Sequence, residues 1–150
     1  MTALGVALAL GVTLIITTLR ADQLGEATST RVSRRAELAR QFRADVADAA
    51  AAPDTLGDQT AGPTRLLLTT PGGGSVVYRW DANTLERVER TAAAAAETVR
   101  VVPVGPAGTV VELVRPAGGA GVVTIRVTEP TPNGLMRRAE ISAALGGNRR

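Results

Sequence analysis

The first nineteen residues, MTALGVALALGVTLIITTL, contain no charged side chain, and Arg20 is the first charged residue. As an α-helix this run would be roughly 28 Å long at about 1.5 Å per residue, close to the hydrocarbon thickness of a bilayer. A cleavable signal peptide has a basic segment before its apolar core and a small-residue cleavage site after it. Neither feature is present in this run. We therefore interpret residues 1–19 as a transmembrane stem that stays attached.

Small residues recur at every fourth position of this stem, at Ala3, Ala7 and Gly11. Small residues at this spacing allow membrane helices to approach each other closely. The spacing therefore predicts a face on which the stem packs against other stems. The alternative is that these small residues only reflect the high Ala content of the chain and have no packing role.

The segment from Arg20 to Ala52 contains no Pro and a single Gly, so nothing in it stops a helix before Pro53. Leu38, Phe42 and Val46 recur every four residues, which is the spacing of one helix face. We predict one helix from Met1 to about Ala52, which is amphipathic over residues 20–52. Its Leu38, Phe42 and Val46 face is expected to pack on a sheet.

Charged residues occupy the other faces of this helix, and Asp45 and Asp48 are interpreted as part of its solvated surface. A linker is predicted over residues 53–63, because two prolines bound it and Gly and Asp occur within it.

From residue 64 onward the pattern predicts strands and turns. TRLLLTT (64–70), SVVYRW (75–80) and LERVERT (85–91) are separated by turn signals and predict a meander. TVVELVR (109–115) and VVTIRVTE (122–129) predict a hairpin, whereas LMRRAEISAAL (135–145) fits either a strand or a short helix. We therefore expect an antiparallel β domain over residues 64–145 and a disordered tail over 146–150. The expected fold class is α+β, with a long N-terminal helix packed on an antiparallel sheet.

The composition argues against several kinds of site. The chain has no His and no Cys, which removes a Ser-His-Asp triad, thiol chemistry and the usual zinc ligands. All 17 basic residues are Arg and are spread among 14 acidic residues, with one Trp, one Tyr and one Phe. Nucleic-acid binding usually needs a concentrated basic patch and stacking aromatic residues. We expect no catalytic residue, no metal, no cofactor, no nucleic acid and no small-molecule substrate.

The order of apolar stem, amphipathic helix and antiparallel sheet resembles the type IV pilin-like proteins, and most closely a minor pseudopilin of type II secretion systems, the J subunit. Three stretches carry the resemblance: LGVALALGVTLIITTL (4–19), ELARQFRADVADAAAAPD (37–54) and VVYRWDANTLERVE (76–89). The resemblance implies a structural subunit anchored by one pass in the inner membrane, with its globular domain on the periplasmic side. Its partners would be membrane lipid and, through the stem, other pseudopilins of a filament.

The sequence departs from this family at its beginning. Prepilins start with a short basic leader ending in Gly, followed by a Phe-Thr-Leu-Ile-Glu type of stretch, and neither precedes Leu4 here. By the family pattern Met1 falls inside the mature helix, so we expect a start codon assigned too late. In-frame codons for a leader upstream of Met1 would support this expectation, and an in-frame stop codon there would contradict it.

A different class of protein also fits the sequence. A membrane-anchored extracytoplasmic binding domain would have the same stem and β domain but no role in a filament. It predicts no leader upstream of Met1 and no association through the stem.

Overall fold

One helix and nine strands make up the regular structure of the residues that this computed structural model describes, which are 32–81, 83–93, 97–102, 104–115 and 121–146. The chain divides into two compact units, Met1–Arg35 and Ala36–Arg150. The helix, α1, covers residues 32–48 of the described part. All the strands and residues 36–48 of α1 belong to the second unit.

The strands form three antiparallel sheets. A two-stranded hairpin consists of β1 (Thr55–Leu56) and β2 (Gln59–Thr60). The four-stranded sheet has the order β3-β4-β5-β6, with bounds Arg65–Thr69, Ser75–Asp81, Thr84–Arg90 and Glu97–Val102. The three-stranded sheet has the order β7-β8-β9, with bounds Val110–Val114, Val122–Pro130 and Met136–Ala144. The predicted meander and the predicted hairpin are confirmed, and the undecided last segment is a strand.

Period-two alternation decides which face of each strand is buried. On β8, Val123, Ile125 and Val127 are buried, and the residues between them are partly exposed. On its outer face, Arg126 forms ion pairs with Glu112 of β7 and Glu140 of β9. One hydrophobic core collects the inner faces of both larger sheets together with the apolar face of α1.

The two larger sheets meet along β3 and β7. The backbone N–H of Leu113 donates to the carbonyl oxygen of Pro63 at 2.7 Å, just before β3 begins. Arg115, which follows β7, forms an ion pair with Asp54. These contacts explain how two sheets can share a single core.

The predicted fold class is wrong. The described residues are mostly β: they form three sheets where one was predicted, and the one helix among them covers residues 32–48. No helix within the described ranges is both long enough and apolar enough to cross a membrane. The stem over residues 1–19 and the helix predicted over residues 20–31 lie outside the described residues, as does the tail from residue 147.

The end of α1 and the predicted linker also differ from expectation. The helix ends at residue 48 rather than near Ala52, because the next backbone groups bond to β3 instead. The N–H of Ala50 donates to the carbonyl oxygen of Thr69 at 2.6 Å. The N–H of Thr69 donates to the carbonyl oxygen of Ala51 at 3.0 Å. The segment 53–63 contains the β1–β2 hairpin, whose turn uses Gly57 at a φ of 62°.

Candidate functional site

The apolar face of α1 lies against the four-stranded sheet. Leu38, Phe42 and Val46 expose 2%, 0% and 0% of their surface and belong to the common core. The Phe42 ring meets the ring of Tyr78 on β4 edge to face, with centroids 5.5 Å apart and planes at 79°. Such pairs contribute about 0.5–1.5 kcal/mol beyond their buried area. The stem residues Ala3, Ala7 and Gly11 lie outside the described residues.

A buried polar cluster joins α1 to two strands beside this apolar face. Arg87 on β5 donates two hydrogen bonds to the carboxylate of Asp45, from Nε to Oδ2 at 2.7 Å and from Nη2 to Oδ1 at 2.9 Å. The Tyr78 hydroxyl donates to Oδ2 at 2.5 Å, and Gln41 Nε2 donates to Oδ1 at 3.0 Å. The carboxylate therefore accepts four hydrogen bonds, from α1, β4 and β5.

Local geometry brings these side chains together. Tyr78 and Arg87 are directly opposite each other in the β4–β5 register, so both side chains lie on the sheet face that meets α1. Asp45 lies seven residues after Leu38 and one before Val46, which places it within the buried stripe of the helix. Glu89, two residues after Arg87 on the same face, accepts a further bond from Arg87 Nη1 at 2.7 Å.

The electrostatics of the cluster follow from its burial. Burial, then the charge of Asp45 and its hydrogen bond, raise the pKa of Tyr78 well above its ordinary value. The hydrogen bonds to Asp45 raise the pKa of Arg87 above its ordinary value, against the effect of burial. At neutral pH a protonated Tyr78 and a charged Arg87 therefore face the Asp45 carboxylate.

This arrangement suits attachment better than catalysis. The side chains of Asp45 and Arg87 expose 8% and 10% of their surface, and the bonds above occupy both carboxylate oxygens. A general base needs a free acceptor within reach of a substrate. A cleft of about 290 Å³ lies elsewhere, between the β1–β2 hairpin and the outer sheet face that carries Val77 and Val88. The described residues contain no group of three or more metal-ligating side chains.

The sequence predicts the strand that carries Leu85 and Arg87, and both residues are buried, with 0% and 8% of the whole residue exposed. The prediction for Asp45 is wrong, because 9% of the whole residue is exposed and it is not part of a solvated surface. The seven-residue spacing from Leu38 was the available signal. An acidic residue inside an apolar stripe needs a buried cation beside it. The cation that pairs with Asp45 is Arg87, which lies 42 residues later in the sequence, so the local pattern around Asp45 did not indicate it.

Comparison of the chain with known protein families, with curated proteins and with solved structures finds no match.

Proposed function

We propose that this chain is a structural minor pseudopilin, a membrane-anchored subunit that assembles into a type II secretion pseudopilus or a related filament. The main support for this proposal is the way in which α1 is attached to the strands of the β domain. A subunit drawn into a filament by its N-terminal segment needs a firm connection between that segment and its globular domain. The buried face of α1 and the Asp45–Arg87 pair supply such a connection.

The sequence before α1 supplies the second support. Nineteen uncharged residues suit a single pass through the inner membrane, with the β domain on the periplasmic side. Ala3, Ala7 and Gly11 would let this stem pack closely against the stems of other pseudopilins. On assembly, contacts of the stem with lipid are exchanged for contacts with the stems of other subunits.

Affinity purification from membranes of the source organism tests the proposal. We expect other pseudopilins to co-purify with the wild-type chain and to be lost when Ala7 and Gly11 are both changed to Leu. The matched control changes Gly5 and Ala9 to Leu, since these residues have the same types and spacing but lie about 160° away around the helix. The control is expected to retain the partners.

A chain that purifies alone and is indifferent to both pairs of changes would contradict the filament role. That result would favour the membrane-anchored binding domain instead.

A further inference from the structure

Strand β6 is an exposed edge of the four-stranded sheet. Within the described residues it pairs only with β5, and residues 97–101 are exposed on both faces of the strand. Val99 and Val101 share the outer face and expose 56% and 59% of their surface. An edge strand with free backbone groups and exposed apolar side chains is a template for pairing with another strand.

Strand β9, an edge strand of the other sheet, differs from β6 in the side chains that its outer face carries. Strand β9 carries exposed charged side chains at Arg137, Arg138 and Glu140, and these occupy both of its faces. Charged side chains at an edge oppose pairing with another chain. Strand β6 also carries one exposed charged residue on each face, Glu97 and Arg100, but Val99 and Val101 follow Glu97 on the outer face, and Val99 lies directly opposite Val88 of β5.

We propose that β6 pairs with β6 of a second copy of this chain, antiparallel and in a single register. A two-fold axis can relate two identical antiparallel edge strands only if the axis is normal to the sheet. One residue of β6 must then lie at the axis, directly opposite the same residue of the second copy. The outer faces of the two copies then lie on the same side of the joined sheet. This inference does not depend on the filament role.

Charge and length select the residue at the axis. With Arg100 there, two guanidinium groups would face each other directly, which is destabilising. With Thr98 or Val101 there, only three residues of β6 find partners within the strand. With Val99 there, five residues find partners: Val99 faces Val99, Thr98 faces Arg100, and Glu97 faces Val101.

This register makes a sharp prediction for disulfide cross-linking. Residues directly opposite in an antiparallel pair have Cα atoms about 4.5–5.5 Å apart, within the range a disulfide spans. Two copies of Val101 would instead be offset by four residues, roughly 13 Å along the strand. Because the chain has no Cys, each variant carries a single thiol.

The experiment oxidises the full chain carrying Val99→Cys or Val101→Cys with copper phenanthroline and measures dimer on a non-reducing gel. We expect at least about tenfold more dimer for Val99→Cys. Val101→Cys is a matched control because both residues have nearly the same exposure. Equal yields, a higher yield at position 101 or no dimer at position 99 would each overturn the proposal.

Sedimentation of the cysteine-free chain gives an independent test. Val99→Lys places two ammonium groups opposite each other at the axis and is expected to weaken the dimer at least about tenfold. Val101→Lys places its ammonium opposite Glu97 and is expected to leave the dimer intact. A wild-type chain that stays monomeric at all concentrations reached, or an equal response to both changes, would overturn the pairing.

Discussion

Asp45 connects more elements than any other side chain of the polar cluster, because its carboxylate bonds to β4, to β5 and to its own helix. A buried carboxylate is tolerated in a core only when cations and donors surround it. Arg87 supplies the charge, and Tyr78 and Gln41 supply the remaining donors. The cluster therefore fixes how α1 lies on the sheet as well as adding stability.

Replacing Asp45 by Ala is expected to destabilise the fold by about 3–5 kcal/mol, because Arg87 keeps its charge in a buried site without its main partner. Chemical denaturation measures the free energy of unfolding. The control is Glu37→Ala, which removes exposed ion pairs with Arg40 and Arg100 and is expected to leave the free energy of unfolding almost unchanged. Similar losses for the two variants would mean that the cluster does not hold α1.

The raised pKa of Tyr78 predicts how stability depends on pH. Below about pH 10 the phenol is protonated in both the folded and the unfolded chain. Above that pH the unfolded chain releases the proton while the folded chain keeps it, so the unfolded state binds fewer protons. Stability is therefore expected to fall by up to about 1.4 kcal/mol per pH unit as pH rises.

Tyr78 is the only tyrosine of the chain, so phenolate absorbance follows its ionisation directly. We expect absorbance to rise together with unfolding, and Tyr78→Phe to lack this component of the pH slope. A phenolate signal that appears near pH 10 while the protein remains folded would contradict the buried position of the hydroxyl.

At the scale of elements, α1 owes its position to the fit of its apolar face. Phe42 is fully buried and meets the Tyr78 ring. Phe42→Ala is therefore expected to cost about 3–5 kcal/mol through lost burial and a residual cavity. Thermal unfolding checks this against Met136→Ala, whose side chain is exposed at 58% and should change stability by no more than about 0.5 kcal/mol. A loss of less than about 1 kcal/mol for Phe42→Ala would show that α1 is loosely attached.

The strands of the β domain were predictable because alternation and turn residues are local signals. The pairing of β7 with β8 follows from two alternating runs and the Gly-rich segment between them. The end of α1 was not predictable in the same way. Ala50 and Ala51 have good helix propensity, and bonds to Thr69, about twenty residues later, override it.

At the scale of the whole molecule, the sheets are joined by contacts that no local pattern encodes. The bond from Leu113 to Pro63 links segments 50 residues apart, and it places β7 beside β3. Alternation within each strand fits one sheet or two equally well, so the division into a four-stranded and a three-stranded sheet could not be predicted. The partnership of Asp45 with Arg87 could not be predicted for the same reason, although both lie on core faces by their spacing.

Photo-cross-linking from the stem tests the central claim most directly. A photoreactive residue replaces Ala7 in the full chain, membranes of the source organism are irradiated, and mass spectrometry identifies the adducts. The proposed filament role predicts adducts with the N-terminal segments of pseudopilins, because in that role the stem packs among theirs. Adducts with lipid alone, under conditions in which the secretion filament assembles, would contradict the account.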